Sequence, residues 1–204
     1  SVYGIVGVDA LQGPTETIIL ADETANPSYC AADLLAQAEH DLDARPILVT
    51  TCEQLIPSVL QELEAQLQEL PEDSPAHSSL ESNGALVLVD SLDEAINLTN
   101  AFAPEHLCLL IQEPWTLVSR VTNAGGIFLG QGSPEVLGDY TAGPSHVMPT
   151  AGSARFSSPL SVFDFLKVTS IVAAPPEVVQ RLGPAAVTIA RSEGLPAHAR
   201  AVEL

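Results

Sequence analysis

The chain has 204 residues, enough for one α/β domain or a compact pair of lobes. It is 46% hydrophobic but only 4% aromatic, so its core must be built from Leu, Val, Ile and Ala. That suits a parallel sheet covered by helices better than a β-sandwich. Seven basic residues face 26 acidic ones, a formal net charge of −19, which argues against nucleic acid or an anionic membrane as a partner and reads most simply as a solvated acidic surface.

No apolar run reaches membrane-spanning length and no signal-type segment opens the chain, so a cytoplasmic protein is expected. Cys30, Cys52 and Cys108 form no CxxC pair and are odd in number, which points to reduced thiols. The sequence starts at Ser1, without an initiator Met, directly in an apolar stretch over residues 2–8. This reads as a domain cut in its middle: a fragment, a processed chain, or half of a split protein.

Strand and helix signals then alternate. Residues 17–21 form a short apolar run ended by Asp22, a buried strand. Asn26 and Pro27 start a helix that runs to about residue 40, with a good capping residue followed by Pro at the first helical position. A strand over 46–50 and an amphipathic helix over 53–70 follow. Residues 71–83, rich in Ser and Pro, read as an exposed loop. Residues 84–90 (GALVLVD) are a strand, and the SLDE box at 91–94 launches a helix to about residue 102. A strand over 107–111, a helix near 114–123 and a strand over 126–129 complete the alternation. Residues 130–159 are rich in Gly, Pro, Ser and Thr, yet hold Asp139, Tyr140, His146 and Arg155, the pattern of an active-site loop. From residue 159 the tail reads as a helix, a short strand over 169–173, and helices to the end.

Four places carry candidate chemistry. Gln37 and His40 lie three apart and share a helix face, where imidazole can bind a metal or simply sit favourably against the helix dipole. Glu105 and His106 follow Pro104 at a helix-to-strand junction. They are the commonest acid/base residues, and such a junction lies at the mouth of a sheet; a solvated pair at a surface turn is the competing reading. Asp139 could be a hard oxygen ligand on a glycine-framed loop or ordinary turn chemistry. Glu193 and His198 near the C-terminus read by themselves as surface residues.

The strings VGVDALQGPTE at 6–16, AADLLAQAEHD at 31–41, APEHL at 103–107, LGDYTAGPSHVMPTAGSARFSSPLSVFDFLK at 137–167 and EGLPAHARAV at 193–202 stand in an order that resembles histidinol dehydrogenase over essentially the whole chain. The resemblance implies an incomplete Rossmann-like parallel-sheet lobe over residues 1–160 and a helical tail over 161–204. It implies oxidation of L-histidinol through L-histidinal to L-histidine, with two NAD and one zinc per site, in a homodimer. The implied zinc ligands are Gln37, His40, Asp139 and His198, and the implied acid/base pair is Glu105 and His106. The same residues except Glu105 would bind substrate, joined by Glu193 and by Thr15, which stands where the family carries serine in a GPSE segment. In the family the EGLxAH tail reaches into the partner's site, so Glu193 and His198 are expected to complete a neighbour's pocket.

The resemblance also implies what lies elsewhere. Family members carry roughly as much chain again before this segment, including most nucleotide contacts, and this sequence has no GxGxxG; Gly125 and Gly126 are no substitute. A second copy and the preceding half are therefore expected partners. The alternative to an active half is a truncated or non-catalytic paralogue that retains a zinc or imidazole-ligand site.

Overall fold

A computed structural model describes residue 2 and residues 4–204 and divides the chain into two compact units, up to Phe165 and Leu166–Leu204. The first unit is an α/β lobe. Five strands, β1 (Glu16–Ala21), β2 (Arg45–Thr50), β3 (Ala85–Leu88), β4 (His106–Leu110) and β5 (Gly126–Leu129), form one sheet in the order β3-β2-β1-β4-β5. Every neighbouring pair is parallel. This is the Rossmann-like arrangement expected, with the order reversing between β1 and β4.

Helices cover both faces, as a parallel sheet requires. They are α1 (Pro27–Ala38), α2 (Leu55–Leu67), α3 (Pro75–Asn83), α4 (Leu92–Phe102), α5 (Trp115–Val118) and α6 (Val136–Tyr140). Alternation along each strand divides the core. Ile19, Ala21, Cys108 and Leu110 pack with α1, α2 and α3, while Ile18, Leu20, Leu107 and Leu109 face α4 and α5.

Local chemistry sets the helix ends. The Asn26 side chain accepts from Ser28 N, and Ser91 accepts from Glu94 N. Helix α4 stops at Ala103, which takes a left-handed conformation (φ 60°), and Pro104 cannot continue it.

Several expectations are corrected. Residues 71–83 are not all loop: Ser74 caps α3, whose Ala76 and Ser79 are buried, and Ser79 Oγ donates to Ala38 O at 2.7 Å. The helix near 114–123 shrinks to the single turn α5. His40 lies in the turn after α1, not on the helix, with its amide bonded to Gln37 O. The helix expected from residue 159 is only a 3₁₀ turn at Val162–Phe165. Residues 169–173 form no strand; Ile171 and Val172 are exposed, and β-propensity without a neighbouring backbone does not make a strand.

The second unit pairs α7 (Pro176–Ser192) with α8 (Pro196–Glu203) through a turn at Gly194, whose φ of 74° suits glycine. Among the described residues no helix is long and apolar enough to cross a membrane. All three cysteines are free thiols, Cys30 and Cys108 buried.

Candidate active site

Glu105 ends the junction after α4, and His106 is the first residue of β4. In a parallel sheet this places both at the amino edge. The crevice that Rossmann-like sheets usually offer to ligands lies at the opposite, carboxyl edge. His106 stands beside Thr17 of β1 and Gly126 of β5 in the ladder, and its side chain shares the α1 face with Cys108. The C-terminal turn of α1 brings Gln37 over it.

The pair is held by backbone contacts. Gly125 N donates to Pro104 O and Gly126 N to Glu105 O, at 3.0 and 2.8 Å. A Cβ on residue 125 would lie 2.6 Å from Glu105 O, and one on residue 126 would lie 2.7 Å from Met148 Sδ. At residue 125, where the neighbour is backbone, only glycine allows this close approach. Arg155 ties the same junction from the other side, donating to the carbonyl oxygens of Ala101 and Gly152.

A hydrogen-bonded cluster surrounds the two side chains. The Thr15 hydroxyl lies 2.5 Å from Gln37 Oε1 and 2.8 Å from Glu105 Oε2. Gln37 Nε2 is 3.4 Å from His106 Nδ1, and Asp139 Oδ1 is 4.0 Å from His106 Nε2. The imidazole also packs against Phe128, with ring centroids 5.9 Å apart. His40, though exposed, is near enough to oppose protonation of His106. Thus Thr15, Gln37, His40, Glu105, His106 and Asp139 gather at one place. Glu193 and His198 belong to the second unit, where both are exposed. Of the other loop residues, Tyr140 and His146 are exposed.

Burial sets the protonation states. Removal from water pushes the Glu105 carboxyl up to about 7, against the lowering effect of the Thr15 hydrogen bond. The same cause pushes His106 down to about 4, so its imidazole is neutral at pH 7. A neutral imidazole beside a carboxyl that titrates near neutrality can accept protons in two places.

Sequence reasoning missed Glu135, which is fully buried beneath this cluster. Its Oε2 accepts from Thr17 Oγ1 at 2.6 Å, and burial pushes its carboxyl up to about 8. It also missed the Glu16 carboxyl, buried at the start of β1 and 3.6 Å from Arg45. A carboxyl within a strand signal was the available cue for Glu16; nothing local marks Glu135.

Among the described residues no group of three or more His, Cys, Asp or Glu is arranged so that those side chains alone could hold a metal ion. A zinc site is still chemically compatible, because Gln37 adds an amide oxygen to the His40 imidazole and Asp139 carboxylate. His106 Nε2 is buried without a hydrogen-bond partner at the same place. Such an orphaned atom fits a site shaped for a further group.

Comparison with known proteins shows the family. The family model for histidinol dehydrogenase matches residues 1–204. The histidinol dehydrogenase of Deinococcus radiodurans is 55% identical over 204 residues, 99% of this chain and 47% of that protein. The Thermus thermophilus enzyme is 52% identical over 203 residues, 100% of this chain and 49% of that protein. The crystal structure of histidinol dehydrogenase from Elizabethkingia anophelis superposes with a TM-score of 0.87 at 40% identity, covering 96% of this chain and 45% of that one. The chain spans about half the length of the relatives it matches. With the whole of its length matched by that family's model, the chain belongs to the histidinol dehydrogenase family.

Proposed function

We propose that this chain is the catalytic C-terminal half of a histidinol dehydrogenase acting in histidine biosynthesis, oxidising L-histidinol through L-histidinal to L-histidine. The observation that carries the reading is the buried pair Glu105 and His106, set beside Gln37 and Asp139 with His106 Nε2 unpartnered. Zinc would be held by Gln37, His40 and Asp139 with His198 of a second copy and would supply the Lewis acid that fixes the substrate, and NAD held by the preceding half would serve as the hydride acceptor. His106, neutral at pH 7, takes the alcohol proton. Glu105 then takes a proton from the water that attacks the aldehyde. Thr15 holds Glu105 in place, and Glu193 contacts substrate across the dimer. Holding the aldehyde in place between steps prevents its loss.

The test is a preparation of this chain joined to its preceding half. It should contain zinc by metal analysis and reduce two NAD per L-histidinol. Zinc bound without any NAD reduction would favour the second reading, a paralogue that keeps an imidazole-ligand site but not the chemistry. A structure in which His198 closes the site of its own chain would remove the exchanged tail.

A further inference from the structure

Glu135 stands at the N-terminal boundary of α6, and Asp139 follows one turn later on the same helix. Its carboxyl is 0% exposed. It meets Thr17 Oγ1 at 2.6 Å and Cys108 Sγ at 3.7 Å, and the Gln37 side chain is the other group that stabilises its charged form. Its Oε1 has no hydrogen-bond partner. Among the described residues it forms no ion pair; Asp33 and Asp139 lie near enough to oppose its ionisation.

A buried carboxyl with no cation and one unsatisfied oxygen costs stability, and apolar replacements of such groups are often neutral or stabilising. Packing alone therefore does not account for it. What it touches does. Thr17 anchors it to β1, Gln37 lies against it from α1, and its own helix turn carries Asp139.

We infer that Glu135 is a positioning residue that ties α6 to β1 through Thr17 and so fixes the turn bearing Asp139 at the site. This rests on the zinc reading above. Groups that support a metal's ligands typically change its affinity by about 10–100-fold when lost.

The experiment is zinc affinity by chelator competition in the complete enzyme, for Glu135→Leu and Glu135→Gln, with Tm and a crystal structure of each. Glu135→Leu should bind zinc about 10–100-fold more weakly at an unchanged or raised Tm. Glu135→Gln, which keeps an acceptor, should lose less. KM for L-histidinol should rise in the same order. Unchanged affinity in both variants, or weakening that only follows a fall in Tm, overturns the inference. Should Glu135→Leu fail to fold, Glu135→Gln decides by whether its affinity falls by more than about threefold. If the unsubstituted enzyme binds no zinc, the zinc reading fails, and the crystal structures judge Glu135 by themselves: an α6 turn unmoved in Glu135→Leu would refute its role.

Discussion

The Thr15 hydroxyl touches the Glu105 carboxyl at 2.8 Å while also lying 2.5 Å from the Gln37 amide oxygen. A hydroxyl has one hydrogen. When Glu105 is ionised, Thr15 can donate to only one of the two oxygens; when Glu105 is protonated, it donates to Thr15 and Thr15 donates to Gln37. Glu105, raised to about 7, takes both forms near neutral pH.

Thr15→Val is therefore expected to move the ionisation of Glu105 further up. The hydrogen bond lost is one that favours the charged form, so the rising limb of the rate of aldehyde oxidation should shift from near pH 7 to higher pH. Thr15→Ser, which keeps the hydroxyl, should leave the limb in place. A pH-rate profile identical in Thr15→Val and the unsubstituted enzyme would remove Thr15 from this role.

Glu105 and His106 should separate the two half-reactions. Only the aldehyde step needs activated water, so Glu105→Gln should spare alcohol oxidation, whereas His106→Gln slows both. Loss of a general base costs on the order of 10²–10⁴ in rate, enough to resolve the steps by single-turnover kinetics. Zinc content should be unchanged in both variants. Equal slowing of the two steps by Glu105→Gln would contradict the division of labour.

Gly125→Ala tests the backbone seat of the pair. The added Cβ would come within 2.6 Å of Glu105 O, so the junction must shift. Overpacking of this kind costs about 1–3 kcal/mol, and the displacement should reduce kcat as well as Tm. A variant with unchanged melting and rate would show that the close approach relaxes freely.

The alternation of strands and helices was legible because each β-strand is a short, nearly continuous apolar run and α1 and α4 carry explicit capping residues. Helix α3 was hidden because it buries little beyond Ala76 and Ser79, so its sequence shows no apolar stripe. The 169–173 strand failed for the opposite reason, apolar composition without a partner backbone. At the site, Glu105 and His106 announced themselves as chemistry-bearing neighbours at a junction, and the family motifs singled out Gln37, His40 and Asp139. Glu135 could not be read this way. Its burial depends on Thr17, 118 residues away in sequence, and only the fold brings the two together.

Asp33 offers a stability test away from the reacting groups. It lies on α1, is 6% exposed, and burial pushes its carboxyl up from 3.8 to about 6. The folded protein therefore holds the proton more tightly than the unfolded chain between these values. Stability from this group is fully present below pH 3.8 and is lost as pH rises through about 6, a loss of about 3 kcal/mol for a shift of this size. His106 has the opposite sign: lowered from 6.5 to about 4, it makes the fold gain stability as pH rises across that interval. Comparing Asp33→Asn with the unsubstituted enzyme cancels the His106 contribution, because both proteins carry it. Urea unfolding with a chelator present should show the stability of Asp33→Asn, relative to the unsubstituted enzyme, growing between pH 4 and pH 6.5 and levelling above. A constant difference across that interval would mean that Asp33 titrates alike in the folded and unfolded chains.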